Sequence, residues 1–579
     1  MFSKLKRAFS SKRAFIHFLE APQNEHAEIS RDGRREHSWS NDDLDPSKPS
    51  YRTWTWLHFG SYWLASSFAS GTWTTASAMV SLGMPWYASW LAIVVSHFIG
   101  ILIVVANGRA AAVYHIGFPV YARASFGMWG SYFAIASRSM LAAIWYAVNS
   151  YYGANFASIC IRCIWPSWTS LQNTIPASQG VTTQQMVALL VFWLLSMPFI
   201  FIHPRNLNWY FVAKASIVAP ACFGVLAWAV IENGGSIGPT FASAPKLESS
   251  WYYGWLWMSA LNTGFGGTSP LIVGQADIAR YAKKPSDQTW AQVIMFPICS
   301  ALPALFGILV ASATANMWGK QYWNLWDVLS AALDHYDMSP ASRALVFLSS
   351  FAFCVALLGT NVSANSLPFG SDISGLFPRW INIRRGQVLC ASLTFALVPW
   401  KIITSAKALL TFLAGYSIFM GPFAAICITD YFFIRRGNFH MADLYVGNSS
   451  SRYWYWHGIN LRAIGSWLIG IALPFPGFVA TMGNIKISDT GNHLWYLGFL
   501  LGFVLTCFVY WLSYVVFPMK MEEEKSLEFE ELAVKYDALL EEQEANEMMG
   551  HAAHSDSSSA VAEDTDIEKG NTSPKIVQM

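Results

Sequence analysis

Apolar residues along this chain run in long uninterrupted stretches divided by short polar connectors, and stretches such as 86–107 and 494–516 contain no charged side chain. A stretch of roughly 20 apolar residues is enough for a helix to cross a bilayer. Twelve candidate spans follow, each bounded by turn residues or charges: 56–80, 86–107, 128–156, 186–202, 209–231, 252–274, 290–315, 344–367, 387–400, 406–432, 463–483 and 493–517. The pattern predicts an all-α polytopic membrane protein with 12 transmembrane helices, an N-terminal tail (1–55), a transmembrane domain (56–517) and a C-terminal tail (518–579) that is largely disordered. An even number of spans puts both tails on one side. The connectors on that side carry most of the loop arginines, including Arg109, Arg123, Arg280, Arg384 and Arg435, so both termini are expected in the cytoplasm.

Two spans contain helix-breaking runs: Ser66-Ser67-Phe-Ala-Ser70-Gly71-Thr72 in the first, and Asn262-Thr-Gly264-Phe-Gly266-Gly267-Thr-Ser-Pro270 in the sixth. Freed backbone groups are tolerated at membrane depth only where they line a cavity or bind something. Interruptions five spans apart predict a 5+5 inverted repeat plus two C-terminal helices, with a binding site at the midplane. The alternative is that the glycines only allow helices to pack closely.

Composition narrows the class. The chain is 54% hydrophobic and 12% charged with a formal net charge of +2, which excludes a soluble protein and gives no sign of a nucleic-acid partner. The eight cysteines lie in or beside apolar spans and read as packing residues, so neither metal nor cofactor is expected. No signal peptide is recognisable at the N-terminus. An enzyme is not expected, because His58 and His97 are isolated in sequence and no nucleophile has a base beside it. Asp277, Asp372 and Asp430 sit at span ends and read as gate or loop residues. The first 50 residues read as a mostly disordered basic arm, and 520–549 as a short acidic amphipathic helix. Lys520, Lys525 and Lys535 lie in that acidic segment, within reach of a ubiquitin ligase or its adaptor.

Within the third span, Arg138, Trp145 and Asn149 fall at i, i+7 and i+11, one stripe of a helix. An indole one turn from a carboxamide can hold a flat polar heterocycle away from water. The plainer reading makes Trp145 core packing and Asn149 an interhelical hydrogen bond.

The run Gly359-Thr-Asn361-Val-Ser-Ala-Asn365-Ser, Phe377-Pro-Arg379, Asn382-Ile-Arg-Arg-Gly386 and Asp430-Tyr-Phe-Phe-Ile-Arg435-Arg436-Gly437 resembles the nucleobase:cation symporter-1 family. The likeness is to its fungal Fur-type branch of uracil, allantoin and uridine permeases. Asn41-Asp-Asp43-Leu44-Asp-Pro46, Arg52-Thr-Trp54, Gly71-Thr-Trp73 and Tyr114-His-Ile-Gly-Phe-Pro119 extend it. The resemblance implies a LeuT-like fold and uptake of a small heterocycle across the plasma membrane by alternating access. It places the stacking tryptophan at Trp145, an amide contact at Asn149 where the family has glutamine, and a second at Asn365 with Asn361 one turn before. Thr268 stands where the bacterial hydantoin transporter of the family has a second tryptophan. Asn149 and Thr268 are also similar to the branch that carries thiamine or nicotinamide riboside, the alternative substrate class.

Sodium sites of this fold use span-one carbonyls and two adjacent span-eight hydroxyls. The resemblance places these at Ala65, Phe68, Gly359 and Thr360, so one hydroxyl is missing. A hard cation stripped of water needs a full oxygen set, and proton coupling is expected over sodium. Lys214 in span five either places its ammonium in the vacant cation position or snorkels to the interface.

Overall fold

The computed structural model describes residues 11–22, 38–202, 208–241, 249–519, 526–546 and 548–549. Among them there is helix and no β-strand, and every one of the twelve candidate stretches contains helix. Among the described residues seven helices are long and apolar enough to cross a bilayer, and the bent pair Leu461–Ala472 and Phe475–Gly483 makes an eighth. The others are interrupted, short or more polar. The first span is two helices, Trp56–Ser67 and Ser70–Ser81. The break lies at Phe68 and Ala69, where Ala69 is extended (φ −132°, ψ 163°), inside a serine-rich run whose Ser67 and Ser70 hydroxyls are buried without a described hydrogen-bond partner.

The sixth span corrects the expectation of a matched break, because Ser250–Gly274 is one helix with Pro270 inside it. Its glycines serve close approach. A Cβ on Gly264 would collide with Ser96 of the second span, and one on Gly266 with the Leu413 carbonyl of the tenth. Pro270 has no N–H for the carbonyl four residues back, which is that of Gly266. The Tyr416 hydroxyl of the tenth span donates to this carbonyl instead. An outside donor replaces the lost bond, so the helix persists to Gly274.

Two bodies emerge from the packing. The second span (Trp86–Tyr114) lies on the sixth and on the seventh (Trp290–Trp318), and the seventh lies on both halves of the first. The third span (Ser131–Ile164) packs against the fourth (Thr183–Ile200) and the eighth. The eighth is Pro340–Thr360, a π-helical turn Asn361–Ser366, and Leu367–Leu376. The fifth span (Asn208–Glu232) and the tenth (Ala406–Thr429) touch both bodies.

On the tail face, residues 38–55 are packed rather than loose: Trp39, Asn41, Leu44 and Asp45 are buried. Asn41 reaches Ser374 Oγ and the Pro378 carbonyl, and Arg280 holds the carbonyls of Asp43 and Asp45. Residues 531–546 form a helix on the same face. Lys520 and Lys525 lie outside the described residues.

Candidate functional site

A cavity of about 130 Å3 lies where the first-span break faces the third, sixth and eighth spans. Ser66, Ser67, Ala69 and Gly71 line it from the break, Trp145 and Asn149 from the third span, and Thr360 and Asn365 from the eighth. The Trp145 ring stands edge-on to Tyr416 (centroids 6.2 Å apart, 90° between planes), and its buried N–H has no acceptor. Asn149 is 7% exposed and makes no hydrogen bond to another described residue. A buried carboxamide without a partner is costly, and here its polar atoms face the cavity.

Two of the expected contact residues point elsewhere. Thr268 donates to the Phe265 carbonyl (3.1 Å) and is turned toward Gly100 of the second span. Asn361 is fully buried between spans, its amide donating to the Tyr146 carbonyl (3.2 Å) and to Ser150 Oγ (2.9 Å). It meets Asn365 through a bond from Asn365 Nδ2 to Asn361 Oδ1 at 2.9 Å.

At the expected cation position the lysine does not snorkel. Lys214 is 1% exposed, and its ammonium donates to Thr360 Oγ1 at 2.8 Å. That hydroxyl in turn donates to the Ala356 carbonyl. Gly359, where a second hydroxyl would stand, is covered by the Tyr210 ring, and a Cβ there would collide with it. Ala65 and Phe68 are buried beside the break and are not part of the cavity wall. The arrangement places a lysine amino group where an oxygen cage would be needed for sodium.

Arg138, two turns from Trp145 on the same helix, does not line the cavity. Its guanidinium is fully buried, forked onto Asp372 of the eighth span, 2.7 Å from Asp277 after the sixth, and 4.1 Å over the Phe118 ring. Asp277 also accepts from Ser371 Oγ (2.7 Å). This cluster ties the two bodies together on the tail side of the cavity. Sequence reasoning missed His97, which lines the cavity with its ring 4.7 Å from that of Phe296 and with Nδ1 unpartnered. Its only signal was a lone histidine in a charge-free span.

Three similarities accompany this geometry. The family model described as a permease for cytosine/purines, uracil, thiamine and allantoin matches residues 46–502. The uracil permease of Saccharomyces cerevisiae is 34% identical, over 83% of this chain and 76% of its own, and the allantoin permease of the same yeast is 33% identical over the same shares. The closed, bromovinylhydantoin-bound structure of Mhp1, a nucleobase-cation-symport-1 family transporter, superposes with a TM-score of 0.64 over 84% of this chain and 98% of that one, at 19% identity.

Proposed function

Because the chain belongs to the permease family for cytosine/purines, uracil, thiamine and allantoin, we propose that it carries a small neutral heterocycle of the uracil, allantoin and uridine class. It does so by alternating access at the plasma membrane, with both tails in the cytoplasm. The observation that carries this reading is that the Trp145 ring and the two carboxamides of Asn149 and Asn365 line one cavity. The ring stacks on the flat face of the ligand, Asn149 and Asn365 bond its edge, and the cavity keeps water away. Lys214 and Thr360 form the coupling site, where the ammonium gives up and regains a proton as the two bodies rock. Of the three tail lysines Lys520, Lys525 and Lys535, we propose Lys535, which sits on the described tail helix, as an acceptor for ubiquitin.

Uptake by whole cells of labelled substrate tests the reading. It should collapse with a protonophore, fall as external pH rises from about 5 to 8, and persist when choline replaces sodium. Competition by unlabelled uracil, allantoin, uridine, thiamine and nicotinamide riboside ranks the substrates. A strict sodium requirement overturns the coupling site, and competition by thiamine alone moves the substrate to the vitamin class.

A further inference from the structure

We infer that Asn361 is a positioning residue that fixes the hydrogen-bonding polarity of the binding site, so that Asn365 offers the ligand an acceptor and the chain selects heterocycles with a ring N–H. The inference rests on the proposed site and adds which edge of the ligand that site reads.

The argument is a chain of forced orientations. Backbone carbonyls only accept, and the Tyr146 carbonyl already takes the hydroxyl of Ser150 at 2.8 Å. Asn361 lies against both, so its NH2 must face them; turned over, its oxygen would oppose the Tyr146 oxygen. That orientation leaves Asn361 Oδ1 directed at Asn365, four residues on. The neighbouring amide must answer with its NH2, as the 2.9 Å bond shows. One N–H of Asn365 Nδ2 is thereby taken, Asn365 Oδ1 is left without a described donor, and Asn365 lines the cavity. The relay therefore ends in a carbonyl oxygen with no described donor, on a residue of the cavity wall. Asn149 has no such tether and can present either end of its amide.

The asymmetry has a chemical consequence. A ligand with a lactam or imide N–H satisfies Asn365 Oδ1, whereas one with only ring acceptors leaves that oxygen without a donor. Asn149 adapts to the neighbouring group. The π-helical turn Asn361–Ser366 carries both asparagines, and such turns are frequent at functional sites.

Competition for uptake or equilibrium binding to the full-length protein in nanodiscs tests this with uracil, which has two ring N–H groups, and 1,3-dimethyluracil, which has none. The wild type should favour uracil by at least tenfold, about one orphaned polar group. Asn361→Leu removes the tether, lets Asn365 turn its NH2 toward the dimethyl ligand's carbonyl, and should shrink the ratio at least about fivefold. The added bulk of the methyl groups is the same for both proteins, so a change in the ratio reports polarity. Asn361→Asp, neutral when buried, keeps both ends of the relay and should keep the wild-type ratio. An unchanged ratio in Asn361→Leu overturns the inference and leaves the site standing. If Asn361→Leu does not fold, the wild type decides: equal affinity for uracil and its dimethyl form overturns the inference. Absence of any lactam binding by wild type overturns the substrate class and the inference together.

Discussion

At the scale of single residues, the third-span stripe separates into two functions that sequence spacing could not distinguish. Trp145 and Asn149 face the cavity, while Arg138 turns two turns away into a charge cluster. Stacking of a base on an aromatic ring is worth about 1–3 kcal/mol. Trp145→Ala should therefore raise the KM for uptake by roughly tenfold or more, with the protein still at the cell surface. A KM within about twofold of wild type would remove the ring from the site. Lys214→Met keeps the stem but loses the donor to Thr360. Substrate binding should stay within about threefold while concentrative uptake and its pH response are lost, because one surviving hydrogen-bond partner is worth only about 1 kcal/mol to the neutral ligand's pocket. Binding measured in detergent beside uptake in cells separates the two. The stacking ring and the carboxamides were legible because few side chains can do their work inside an apolar span. The relay through Asn361 was not, since its anchor is the backbone carbonyl of Tyr146, 215 positions away in sequence and without a side-chain signature.

Among elements, composition read the first span correctly and the sixth incorrectly, and the difference is one distant hydroxyl. Glycine and proline mark where helical bonds are weak, yet Tyr416 supplies a donor to the carbonyl that Pro270 releases. No local window contains both partners. The converse holds at the tail side, where Asp277 and Asp372 were read as gate residues from their positions alone and Arg138 proves to be their common partner. Arg138–Asp372 lies within one body, whereas Arg138–Asp277 bridges to the other. Opening on the tail face has to part the second contact. Asp277→Asn leaves Arg138 its forked partner and exchanges a charge-assisted contact for a neutral one, a loss of about 1–2 kcal/mol. Amide exchange over 273–281 should accelerate roughly five- to thirtyfold, with the far end at 489–496 unaffected. Equal acceleration at both ends would mean general destabilisation instead of a gate. Arg138→Ala is a poorer probe, because it orphans two buried carboxylates at about 3–5 kcal/mol.

For the molecule as a whole, the described segments of both tails, 38–55 and 526–546, pack on one face of the folded body. Glu530 joins two elements at once, accepting both nitrogens of the Arg109 fork (2.9 and 2.7 Å) at the end of the second span and the Tyr431 hydroxyl (2.7 Å) after the tenth. Asp537 pairs with Arg52 of the N-terminal segment, the Glu528 carbonyl takes Asn438, and Ala533 is buried. An acidic helix reads from sequence as a solvated arm, because its counter-charges Arg109 and Arg52 lie several hundred residues away. Exposed ion pairs add little singly, but Glu530 is mostly buried and its carboxylate has three donors. Glu530→Gln keeps the shape, removes the charge and cannot accept the same fork, so the local docking equilibrium should weaken by about 1–3 kcal/mol. Amide exchange across 531–546 should then rise roughly five- to hundredfold. Lys535, now held by Glu531 at 2.6 Å on that helix, should become the faster target for a lysine-reactive label. Ubiquitin-dependent removal from the surface after excess substrate should quicken in Glu530→Gln and return to the wild-type rate when Lys535→Arg is added. Release of the helix with no change in surface lifetime would leave the docked tail a structural strap with no part in turnover.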